Sequence, residues 1–119
     1  MPTERVVMWE QLFSKVAEAA MRVTSDRSQL SDRSRRDLAW LHRAATGMTA
    51  HLGGVEHFSV ERVPDLVRAA LGIRRVAAET LADPEGTLTD GARRDLEWLV
   101  TVGGQLLEAF QPFVAEKIV

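Results

Sequence analysis

The sequence predicts an all-α fold: a four-helix bundle built from two tandem helical hairpins related by an internal pseudo-two-fold axis. Three observations predict it. Apolar residues recur at three- and four-residue spacing in four successive segments, the signature of helices with one buried face. No segment alternates apolar and polar residues as a half-buried strand does. A twelve-residue stretch also occurs twice, once in each half of the chain.

The first predicted helix covers residues 4–23. Its apolar face is Trp9, Leu12, Phe13, Val16, Ala19, Ala20 and Val23, with Glu10, Lys15, Glu18 and Arg22 on other faces. The polar run 24–29 interrupts it. Ser31 is placed as the N-cap of a second helix, whose seam reads Leu38, Leu41, Ala45, Met48 and Leu52. Gly53-Gly54 follows as a C-terminal stop. Pro64 fits the first turn of a third helix, because its fixed φ suits that place and its missing N–H is not needed there. Leu66, Ala70, Ile73, Ala77 and Leu81 form that helix's seam. Asp83-Pro84-Glu85-Gly86 has the residue order of a type I turn. Thr89 then caps a fourth helix through Leu96, Leu99, Leu106 and Phe110. Pro112 is expected to kink or end it, leaving a short terminal helix or packed tail.

The repeat runs from Leu30 to Leu41 and again from Leu88 to Leu99. Eight of its twelve positions are identical, and Ser31 against Thr89 is conservative. Each copy follows an amphipathic segment and a turn, so the duplicated unit is a helical hairpin, about 4–52 and 59–110, within one domain spanning 1–119. Two copies are too few for a solenoid.

Composition narrows the function. The chain has 119 residues, 45% of them hydrophobic and 27% charged, a globular balance with material for a real core. Its formal net charge of -2 excludes a strongly basic nucleic-acid binder, although a local basic patch stays compatible with it. With no Cys, disulfides, thiol catalysis and cysteine-ligated zinc all fall away. No apolar run approaches a membrane span and no signal-peptide segment opens the chain, so the expected address is cytoplasmic. His42, His51 and His57 are the only histidines, and no two share the three- or four-residue helical spacing of paired ligands; no metal or cofactor is expected.

The strongest expectation is therefore a non-catalytic binding, regulatory or assembly protein that acts through protein–protein contacts. The fourth helix is apolar over a wider arc than a simple bundle needs, since Val100, Val102 and Ala109 stand where the second has His42, Ala44 and His51. That surplus predicts a homodimer through Trp98, Val102, Leu107, Phe110 and Phe113. Trp40 and Trp98 each fall about 120° from their seam centres, the position from which a Trp covers the crevice between helices. Gly103, in the seam, is expected to let another helix approach closely.

Two arginine pairs, Arg35-Arg36 and Arg93-Arg94, stand near predicted helix starts and are candidate anion-binding residues. Residues 22–75 carry ten basic and six acidic side chains, and residues 76–119 three basic and eight acidic. This polarity is compatible with an unidentified protein partner or, less directly, nucleic acid. The stretch Arg36-Asp37-Leu38-Ala39-Trp40-Leu41-His42 resembles the Arg-polar-x4-His motif of HEPN-family ribonucleases, small helical bundles that work as dimers. The resemblance implies Arg36 and His42 as catalytic residues acting on an RNA backbone. In the second repeat, Val100 stands in the place of that His.

Overall fold

The computed structural model describes residues 3–52 and 60–118. Four helices follow in order: α1 (Thr3–Ser25), α2 (Asp32–Leu52), α3 (Val63–Ala82) and α4 (Asp90–Ile118), with a 3₁₀ turn at Val60–Arg62 leading into α3. Pro64 sits in the first turn of α3, as its missing N–H requires. The stop expected at Gly53-Gly54 lies outside the described residues.

The helices form a closed ring. Contacts are extensive within each hairpin, α1 on α2 and α3 on α4, and sparser where α1 meets α4 and α2 meets α3. The two hairpin turns lie side by side at one end. There the Gln29 N–H donates to the Thr87 carbonyl at 2.9 Å, and the Thr87 N–H donates back to the Gln29 carbonyl at 2.7 Å. Both residues immediately precede the leucine that opens the repeated stretch. Reciprocal pairing of equivalent positions is what a two-fold axis produces. The axis passes between Gln29 and Thr87 along the bundle, and the helices alternate in direction around it.

The core confirms the register. Trp9, Phe13, Val16, Leu38 and Leu41 from the first hairpin meet Leu66, Ile73, Leu96, Leu99 and Leu106 from the second, all essentially inaccessible to water. The halves are not equal in volume: Phe13 and Val16 of α1 match Ala70 and Ile73 of α3. Phe110 supplies bulk on α4, packing edge to face on Trp9 with ring centroids 4.9 Å apart at 74°.

Two features of α4 govern how it packs. Pro112 does not end the helix, which continues to Ile118. Proline removes one intrahelical hydrogen bond, to the carbonyl four residues earlier, and here both Pro112 and Glu108 are exposed residues. Further back, α3 lies directly on Gly103. A Cβ there would stand 3.0 Å from the Arg74 Cβ and backbone nitrogen and 3.2 Å from the Ala70 carbonyl oxygen. The close approach leaves no room beside Gly103 for a small ligand. A Cβ on Gly104 would meet nothing within 4 Å.

Candidate functional site

The starts of α2 and α4 were candidate anion sites, and each already holds an anion from the chain itself. The Ser31 hydroxyl accepts from the Ser34 N–H at 3.2 Å, an N-cap bond, and donates to Asp83. The Ser34 hydroxyl donates to the same carboxylate oxygen at 2.7 Å. At the second start, Thr89 accepts from the Ala92 N–H at 3.1 Å and donates to Asp26, which also accepts from the Ser28 hydroxyl at 2.8 Å. The caps are crossed. Asp26 lies in the turn of the first hairpin and serves α4, while Asp83 lies in the turn of the second and serves α2.

Hydrogen bonds set the acidity of both groups. The Thr89 and Ser28 hydroxyls, with backbone N–H groups nearby, hold Asp26 below the usual carboxylate range. The Ser31 and Ser34 hydroxyls and the Glu85 N–H do the same for Asp83. A carboxylate at a helix N-terminus also complements the macrodipole. Arg35, Arg36, Arg93 and Arg94 are exposed. Arg33 meets Asp37 at 3.9 Å, and Arg94 turns its Nε to the Asp90 carbonyl.

The two sparser seams carry the tryptophans. Trp40 lies over Gly72 of α3, where an added Cβ would fall 2.5 Å from its Cη2, so glycine is what lets the ring settle across the seam. Trp40 stays 40% exposed, and Leu71 48%. Together they floor a groove of about 570 Å³ between α2 and α3, lined also by Arg68, Arg74, Arg75 and Glu79. On α2, Arg36 and Arg43 stand four residues before and three after Trp40, which puts all three on one stripe. Among the described residues, Arg36, Arg43, Arg74 and Arg75 make no ion pair.

The pseudo-symmetric seam, between α1 and α4, differs. Trp98 is half-buried in a groove of about 500 Å³ with Lys15, Glu18, Arg22, Arg94 and Asp95. Arg22 and Asp95 close on each other at 3.1 Å, and that bond raises the Arg22 pKa. Matching the buried faces of α1 and α3 pairs Val16 with Ile73, Ala19 with Val76 and Ala20 with Ala77. In this register Gln11, Ser14, Ala17 and Glu18 stand where α3 has Arg68, Leu71, Arg74 and Arg75. One seam is polar and self-neutralised. The other is apolar, cationic and open.

The dimer surface expected on α4 shrinks. Val102 is 3% exposed and Phe110 fully buried within this single chain, because α4 turns its wide apolar arc toward both α3 and α1. Trp98 and Leu107 remain half-buried, and the Phe113 side chain lies outside the described residues. Arg36 and His42 do not converge. They lie about 120° apart around α2, with Arg36 exposed and His42 turned to α1, where its Nδ1 donates to the Ala17 carbonyl at 3.1 Å. Among the described residues, no three His, Cys, Asp or Glu side chains form a metal-holding group, and no helix is long and apolar enough to cross a membrane.

The chain is thus a small all-α protein, a pseudo-symmetric four-helix bundle. No family model, curated protein or solved structure matches it.

Sequence reasoning missed two elements of this site. Arg68, Arg74 and Arg75 become significant only once α3 lies beside Trp40. Leu71, a leucine outside the seam of its own helix, was the one available signal. The crossed aspartates had no signal beyond their place in turns.

Proposed function

We propose that the protein is a non-catalytic docking bundle that works by binding another polypeptide across its α2–α3 face. The observation carrying this reading is the pairing of Trp40 and Leu71, two large apolar side chains nearly half exposed and adjacent across a groove. Trp and Arg are the residue types most enriched where binding energy concentrates, and Arg74 and Arg75 make no ion pair among the described residues. The test is comparative capture. Wild type and the Trp40→Ser, Leu71→Ser double variant are cross-linked in the source cells, and the attached proteins are quantified. A partner retained by wild type and lost from a variant with an unchanged melting point supports the reading. Identical capture profiles for both proteins refute it.

Self-association through α4 is the second form of the same reading, supported by the half-buried Trp98 and Leu107. Its test is sedimentation of the purified chain. A dimer that reverts to monomer in a Trp98→Ser, Leu107→Ser variant supports it, and a monomer throughout refutes it.

A further inference from the structure

The geometry points to the partner's chemistry: an acidic amphipathic helix, lying along the α2–α3 groove with an apolar side chain seated against Trp40 and Leu71 and carboxylates meeting the arginines. This rests on the α2–α3 face being the docking surface.

Three observations carry it. The first is the layout of charge. Each of the two helices presents an arginine, an apolar residue and another arginine in succession along one stripe: Arg36, Trp40 and Arg43 on α2, and Arg68, Leu71 and Arg75 on α3. Trp40 and Leu71 line the groove together with Arg68, Arg74, Arg75 and the carboxylate Glu79, and Arg36 and Arg43 flank Trp40 along α2 outside that lining. A ligand matching that layout needs a greasy centre and negative flanks. The second observation is where the neighbouring acids go. Glu79 and Asp37 are drawn to Arg33, at 3.0 and 3.9 Å, and Asp65 lies 3.6 Å from Arg68. Arg36, Arg43, Arg74 and Arg75 keep their charge uncompensated among the described residues, and a partner's carboxylates can take them as bidentate acceptors.

The third observation is the internal comparison. The α1–α4 seam has the same backbone frame and the same tryptophan, yet fills the equivalent positions with Gln11, Ser14, Ala17 and Glu18 and neutralises itself through Arg22 and Asp95. The second seam has cations of its own beside Trp98, namely Lys15, Arg22 and Arg94, with Arg22 bonded to Asp95. The exposed leucine and the three arginines on the helix beside the Trp are particular to the α2–α3 side.

Alternative occupants fit less well. A second copy docked face to face by two-fold symmetry would bring arginines against arginines. A nucleic-acid strand would find the cations but would leave Leu71 against its polar backbone. A groove between two antiparallel helices accepts a third helix, read through anchors at three- and four-residue spacing.

The experiment is unbiased selection. A displayed library of random peptides long enough for about four helical turns is panned against the full chain. Enriched peptides are then synthesised, and their affinities measured by fluorescence anisotropy for wild type and three variants: Trp40→Ala, Arg74→Gln with Arg75→Gln, and Arg94→Gln as a control in the other seam. The arginines are exposed, so their variants are expected to fold as wild type, and circular dichroism checks this. The expected result is enriched peptides that are net acidic and carry apolar residues at helical spacing. Affinity should fall about tenfold or more in the Trp40 and double-arginine variants, fall with added salt, and hold in the Arg94 variant. Enrichment of neutral peptides that still depend on Trp40 overturns the acidic partner and leaves the docking face intact. Peptides indifferent to Trp40 and to both arginines overturn both. A single-stranded oligonucleotide that binds the same residues more tightly than any selected peptide replaces the peptide with nucleic acid and overturns the inference.

Discussion

Neighbouring glycines in α4 are expected to respond to the same substitution with opposite signs. Both lie in a helix interior, where Ala is better than Gly by about 1 kcal/mol because it loses less backbone freedom on folding. At Gly104 a new methyl meets nothing within 4 Å, so that gain stands alone. At Gly103 the methyl would lie 3.0 Å from a backbone nitrogen and a Cβ of α3 and 3.2 Å from a carbonyl oxygen. None of these is the free end of a flexible side chain, so α3 must withdraw by a few tenths of an ångström. Overpacking of this kind costs about 1–3 kcal/mol, which outweighs the propensity gain and leaves a net loss of about 1 kcal/mol. At this chain length 1 kcal/mol corresponds to roughly 4 °C in melting temperature. Gly104→Ala should melt about 4 °C above wild type and Gly103→Ala about 4 °C below it, on the same two-state basis. Thermal unfolding followed by circular dichroism, with urea titration as a second measure, decides the matter. If Gly103→Ala stabilises as much as Gly104→Ala, the close approach of α3 is wrong.

The crossed caps predict matched effects: Ser31→Ala and Thr89→Ala should each cost about 1 kcal/mol in urea unfolding, and a large inequality would argue against equivalent roles. Acid should act through the same end of the molecule. Asp26 and Asp83 have folded pKa values below the ordinary Asp value, so their contribution is fully present above that value and is lost as the pH falls through the lower folded ones. Unfolding followed from pH 5 downward should show a decline in stability that flattens in Asp26→Asn, Asp83→Asn; an unchanged profile would remove these groups from the account. Phe110→Ala should destabilise by about 3–5 kcal/mol, because it empties the space against Trp9, and a loss well under 2 kcal/mol would mean the site collapses.

How much of the fold and the groove was legible in the sequence depends on the range of the interactions. The helices, their seams and their caps are local or periodic properties. Ser31, Thr89, Pro64 and the Trp9 face could therefore be read directly. The two-fold relation was legible because the repeat copies a stretch that starts a helix, and equivalent positions at Gln29 and Thr87 then had to meet. Pro112 misled because proline in a helix interior is a cost and not a prohibition, and here Pro112 and Glu108 both stand on an exposed face of α4. The breadth of apolar surface on α4 was legible, but the burial of Val102 and Phe110 within the single chain was not. A wide arc suits a helix wedged against two neighbours as well as one joining a second subunit, and only the arrangement of α1 and α3 distinguishes the two. The cationic groove was illegible for a similar reason: its arginines sit on two helices, and their meeting depends on which pair of helices shares a sparser seam.

The crossed aspartates make the two halves of this protein interdependent in a specific way. Neither hairpin owns the carboxylate that completes the first turn of its own second helix; each borrows it from the other. Those bonds to the carboxylates form only when the hairpins dock and are lost when they separate. A single hairpin produced alone would start its second helix one acceptor short, and the readiest way to restore that acceptor would be to find another hairpin like itself.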